Sequence, residues 1–196
     1  MTKNRLEAFS DGVLAIIITI MVLEIRVPEE PTWQGLVTIL PTLFSYLLSY
    51  VYIGIYWNNH HHLLRLASGV NGGILWANLH LLFWLSLFPF VTRWSEESGF
   101  AEVPVMVYGI TLLLAAVAFY ILQQALIRYQ GSDGSLATAL GRDWKGKSSP
   151  FIYVAGILLA LVQPLAAMGV FAIAAMIWLV PDRRVERFVG NGPDAG

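Results

Sequence analysis

The chain has 196 residues, 57% of them hydrophobic and only 13% charged, with a mean hydropathy of +0.63. Soluble domains carry about 25% charged residues, so this composition excludes a wetted surface and points to lipid as the main solvent. The net charge of −1 offers nucleic acid no basic partner, and the lack of cysteine excludes disulfides, a thiol nucleophile and a thiolate metal site.

The first apolar stretch follows Lys3 and Arg5 and ends in no small-residue cleavage site, so it reads as a retained helix over about Phe9–Val27. Its uncharged part, Gly12 to Leu23, is short, with Asp11 and Glu24 near its ends. Polar groups at membrane depth are costly and face protein or water. A hydrocarbon core needs about 20 apolar residues in a helix. Three further uncharged runs fit one span each, at about Leu36–Asn58, Gly73–Val91 and Val105–Ile127. Tyr129–Ser149, containing Gly131-Ser132-Asp133-Gly134-Ser135, reads as a linker. The run Ser148–Pro181 is long for one span and short for two. Gln163-Pro164 at its middle favours two short helices, about Phe151–Val162 and Leu165–Val180, with one kinked helix as the alternative.

The expected fold is therefore all-α: one transmembrane domain over residues 1–196, with six transmembrane helices. With the N-terminus inside, Lys3, Arg5, Arg65, Arg128, Arg142, Lys145, Lys147, Arg183, Arg184 and Arg187 fall on the inner side, and only Arg26 and Arg93 outside. That asymmetry places both termini in the cytoplasm of a multi-pass protein of the cell membrane. The outer loops are acidic, with Glu29, Glu30, Glu96, Glu97 and Glu102. Trp33, Trp57, Trp76, Trp94 and Trp178 fall near span ends, where indole rings anchor at the headgroups, whereas Trp84 falls mid-span and packs between helices.

At 100° per residue, Ile16, Ile20, Leu23 and Val27 share an arc of about 60° on the first helix, flanked by Gly12 and Thr19. Asp11 points about 140° away from Ile16. Either the stripe faces lipid and Asp11 faces protein, or the stripe lines a central seam; periodicity alone leaves both open. His60, His61 and His62 are consecutive, so their side chains diverge by about 100° each and cannot easily converge on one ion. Hydrogen bonding at the cytoplasmic end of the second span is the better reading, and an interhelical hydrogen bond is expected of His80. Gly109, Gly156 and Gly169 read as close-packing positions. No catalytic constellation, phosphate loop, carbonyl filter or arginine ladder occurs, so an enzyme is not expected. No cofactor is expected either.

Arg5-Leu6-Glu7-Ala8-Phe9-Ser10-Asp11 resembles the R-x-x-x-F-S-D signature that opens the first helix in prokaryotic relatives of the lysosomal potassium channel, the transmembrane protein 175 family. Gly12 to Ile25, Tyr56-Trp57-Asn58-Asn59-His60-His61 and Leu85-Ser86-Leu87-Phe88-Pro89-Phe90 are similar to the same family. The resemblance implies a homotetramer of six-helix subunits around a central pore lined by the first helix. It further implies K+ permeation with modest selectivity over Na+, through rings of bulky apolar side chains in place of a carbonyl filter. Those rings map onto Ile16, Ile20 and Leu23, and Thr19 matches a threonine linked to selectivity. Arg5, Phe9, Ser10, Asp11, Trp57 and His61 match a network that holds the helices together. The implied partners are monovalent cations, the lipid bilayer and further copies of the chain. The competing readings are a secondary transporter, suggested by Pro41, Pro89 and Pro164 as helix breaks, and a non-transporting membrane scaffold.

Overall fold

The computed structural model describes residues 2–131 and 144–179, without the side chains of residues 144, 145 and 147. The described residues form helices and no strands: α1 (Lys3–Leu23), α2 (Trp33–Thr38), α3 (Leu40–Arg65), α4 (Gly72–Ser86), α5 (Phe88–Glu97), α6 (Glu102–Gln130), α7 (Trp144–Ala160) and α8 (Pro164–Leu179). Most of the 129–149 linker expected from the sequence, and Arg183, Arg184 and Arg187, lie outside the described residues.

Side-chain caps and prolines set the boundaries. Thr32 accepts the Gly35 N–H at 3.1 Å to start α2, and Asn71 accepts the Ile74 N–H at 2.9 Å to start α4. Pro41 and Pro89 occupy the first turns of α3 and α5, where a missing N–H costs nothing. Leu87 remains in right-handed helical geometry between α4 and α5, so the two read as one apolar rod, Gly72–Glu97. Pro164 opens α8, and the Gln163 N–H still reaches Leu159 O at 2.8 Å. The last apolar run is thus two helices separated by a tight turn.

Among the described residues three helices are long and apolar enough to cross a membrane: Lys3–Leu23, Gly72–Glu97 and Glu102–Gln130. Two shorter apolar helices cover Ser148–Ala160 and Pro164–Leu179. α3 has 26 residues, but its tyrosines, serines and the Asn58–His62 run dilute its hydropathy.

The core runs along α6, which packs against α4, α5, α7 and α8. Its Leu112, Ala115, Ala118, Leu122 and Leu126 are fully buried. The ring of Phe171 on α8 wedges between two glycines. A Cβ at Gly109 would stand 2.5 Å from Phe171 Cζ, and one at Gly156 would stand 2.3 Å from Cε1. Gly169, expected to be a close-packing position, has nothing within 4 Å of a built Cβ. α1 lies at the edge of the bundle against α3, α4 and α5. Its buried side is Leu6, Ser10, Leu14, Ile17 and Met21.

Candidate functional site

The two sides of α1 have opposite character. Ile16, Ile20 and Leu23 are 59%, 42% and 82% exposed, and Phe9, Gly12 and Thr19 are exposed beside them. At 1.5 Å per residue the three large side chains are spaced by roughly 6 and 4.5 Å along the axis. Thr19 turns its hydroxyl back to Ile16 O at 2.8 Å, so the exposed face offers methyl groups and little polarity. Gly12 has nothing within 4 Å of a built Cβ. Its lack of a side chain serves no contact inside the protomer.

The other side of α1 is fastened by polar groups, in two layers. The inner layer is a buried chain across three helices. Ser10 Oγ donates to Leu6 O at 2.9 Å, Asn78 Nδ2 donates to Ser10 Oγ at 2.9 Å, and His60 Nε2 lies 2.7 Å from Asn78 Oδ1. All three side chains are essentially solvent-free. The proton arrangement follows by elimination. Ser10 spends its hydrogen on Leu6 O, so it must accept from the Asn78 amide. The Asn78 oxygen then faces His60 and takes a hydrogen from Nε2.

The outer layer is a three-rung ladder between antiparallel α1 and α3. Lys3 Nζ donates to Ala67 O at 3.1 Å and to Arg65 O at 3.4 Å. Glu7 Oε1 pairs with His61 Nδ1 at 2.9 Å, and Trp57 Nε1 donates to Asp11 Oδ1 at 3.0 Å. Positions 3, 7 and 11 recur every four residues on one helix, and 57, 61 and 65 do so on the other. Each set therefore forms one stripe. The Trp57 and His61 rings stack with centroids 6.2 Å apart, which stiffens the α3 side of the ladder.

Ser10, Asp11, Trp57 and His61 are thus brought together. Arg5 and Phe9 are exposed instead, and the ion pairs among the described residues include neither Arg5 nor Asp11. His80 accepts from Trp84 Nε1 at 2.9 Å within α4, so its hydrogen bond is intrahelical rather than interhelical. His60 and His61 turn to Asn78 and Glu7, and no group of residues suited to a metal ion occurs among the described residues. Lys3, Glu7 and Asn78 belong to these networks although the sequence reading assigned none of them there. Glu7 could have been found from its four-residue spacing to Asp11, matched by Trp57 and His61. Asn78 carries no such signal.

At the C-terminal end of α1, Arg93 of α5 pairs with Glu24 and, through Nε, with Glu97 Oε1 at 3.0 Å, while Arg26 also pairs with Glu97. Thr42 donates to Glu96 at 2.7 Å. Between α3, α6, α7 and α8 lies a cavity of about 50 Å³ beside Tyr52, Tyr56, Gln123 and Tyr153. It has room for a water or two, well below the roughly 300 Å³ at which ligand pockets begin.

The family model described as "Endosomal/lysosomal potassium channel TMEM175" matches residues 5–89. That region carries the exposed stripe, the buried chain and two of the ladder's three rungs, the Lys3 rung lying outside it. A potassium channel of Chryseobacterium sp. (strain P1-3) is 53% identical over 187 residues, 95% of this chain and 97% of that protein. The chain belongs to the TMEM175 family. A potassium channel of Chamaesiphon minutus is 31% identical over 187 residues, covering 88% of this chain and 91% of that one. The crystal structure of a lysosomal potassium-selective channel TMEM175 homolog from Chamaesiphon minutus superposes with a TM-score of 0.80 at 27% identity, over 93% of this chain and 97% of that chain. TMEM175 proteins are ion channels, not enzymes.

Proposed function

We propose that this chain is a potassium-permeable cation channel in which four copies surround a central pore lined by α1. The observation that carries the reading is the division of α1 into two faces. The polar residues on its inner side are satisfied within the protomer by α3 and α4. The face left over is an apolar stripe ending in a nearly uncovered Leu23. Four such stripes meeting on an axis make stacked apolar rings at Ile16, Ile20 and Leu23. Arg5 and Phe9, uncovered in one protomer, are then available to a neighbouring copy. Thr19 lies between the first two rings, where its methyl group and hydroxyl tune the radius.

A ring of this kind gates by dewetting: a narrow apolar tube holds no water column, and an ion does not cross without one. Opening needs only a small outward tilt or rotation of α1. Six spans follow if α1, α3, the rod of α4 and α5, α6, α7 and α8 each cross, and the charge asymmetry then sets both ends in the cytoplasm of a cell-membrane protein. K+ is the permeant ion, no cofactor takes part, and the assembly partners are lipid and three further copies.

Single cysteines at Ile16, Ile20 and Leu23 test the pore. Cross-links between subunits at these positions, together with single-channel current from the tetramer, are expected. Flux from a monomer, as a transporter gives, or a tetramer without current, as a scaffold gives, would overturn the reading.

A further inference from the structure

The outer end of α1 is held by groups that belong to neither the apolar rings nor the motif network. Met21 is the last buried residue of the helix; Val22 and Leu23 are uncovered. Glu24 caps the helix, its N–H bonded to Ile20 O at 3.2 Å. Its carboxylate pairs with Arg93, which Glu97 holds in turn one turn along α5. Between the last turn of α1 and its neighbours lies a cavity of about 20 Å³ bordered by Met21, Glu24, Ser45, Arg93 and Glu96. Ser45 Oγ is buried there, with no hydrogen-bond partner among the described residues. The cavity is bordered by polar groups and large enough for about one bridging water, so α1 meets α3 and α5 here through hydratable groups rather than interlocked apolar side chains.

We propose that Arg93 is a positioning residue for permeation. By holding Glu24, it fixes how far the Leu23 ring stands from the pore axis, and so sets the outer aperture. Half-exposed ion pairs contribute little to overall stability, so loss of this one leaves the fold intact while freeing the single turn that carries Leu23. The inference rests on the assignment of α1 as the pore helix.

The test compares Glu24→Gln, Arg93→Gln and their double variant with Ile16→Asn, in full-length protein reconstituted at matched tetramer content. K+ flux and the reversal potential under a K+/Na+ gradient are the readouts. Each single variant is expected to raise basal flux roughly two- to five-fold, the factor an exposed pair contributes to an equilibrium, and to lower the K+/Na+ permeability ratio. The two shifts must share a direction although the charges removed have opposite sign. The double variant should go no further than the larger single one. Shifts of opposite direction would reveal a surface-charge effect on passing ions and overturn the inference. Wild-type behaviour in both variants, with a gain in Ile16→Asn, would overturn it while leaving the pore assignment standing. No change in any of the three would remove the pore assignment and the anchoring with it. Loss of the tetramer in both single variants would show a structural role and also overturn it; if only one fails to assemble, the other carries the comparison.

Discussion

Asn78 is the residue through which α1, α3 and α4 are joined. Its amide donates to Ser10 of α1 and accepts from His60 of α3, and all three side chains are shut away from water. An unsatisfied buried donor or acceptor costs about 1–3 kcal/mol, and Asn78→Leu leaves at least the His60 N–H and the Ser10 lone pair without partners. Thermal unfolding in detergent is expected to show a loss of roughly 2–6 kcal/mol, summed from those two groups; a midpoint unchanged from wild type would contradict the network. Asp11 is expected to act on assembly before conduction. Asp11→Ala removes the acceptor of the Trp57 indole and is expected to reduce the tetramer peak in fluorescence-detected size exclusion. Combined with Trp57→Phe it should add little further loss, because both substitutions break one bond. A fully tetrameric Asp11→Ala protein with altered current alone would sink the structural role.

At the scale of elements, the bundle is close-packed where small residues allow it, and Phe171 marks a close approach of α8 to both α6 and α7. Gly109→Ala or Gly156→Ala drives a methyl group into the ring, and overpacking of this kind typically costs about 1–3 kcal/mol. Gly169→Ala, which meets nothing within 4 Å, serves as the control and should leave the melting temperature unchanged. If all three glycine variants melt together, the wedge is not a determinant of stability. Much of this layer was legible in the sequence. Uncharged runs located the apolar helices, Pro164 separated the last two, and the four-residue spacing of Ile16 and Ile20 put the apolar stripe opposite Asp11. The ladder was legible only as two stripes of matching four-residue spacing, not as pairs. Reading Glu7 as the partner of His61 requires the antiparallel register of α1 on α3, which hydropathy does not encode. The expected interhelical bond of His80 gave way to an intrahelical one because Trp84, one turn on, offers its N–H without crossing to another helix. Gly169 misled for a related reason: a small residue in an apolar helix marks either a close approach or an empty surface, and sequence alone does not distinguish them.

At the scale of the whole molecule, the protomer leaves a large apolar area uncovered. Most of it suits lipid, which a membrane protein meets on every outer side. The stripe on α1 differs from the rest because polar bonds to α3 and α4 fasten the opposite side of its helix. Fixing one face so firmly defines the direction of the other. In the proposed tetramer that direction is the pore axis, and the apolar rings exclude ions by keeping water out. If the stripe instead packs against lipid or a neighbouring helix, a polar side chain placed there can only lower stability and yield.

Ile16→Asn separates these cases most directly. Potassium flux is measured in liposomes containing matched amounts of tetrameric wild-type, Ile16→Asn, Ile20→Asn and Leu23→Asn protein. The account expects Ile16→Asn to hydrate its ring, raising basal flux and weakening discrimination among monovalent cations, with Ile20→Asn and Leu23→Asn acting in the same direction. Unchanged or reduced flux in all three would contradict a pore gated by apolar rings on α1.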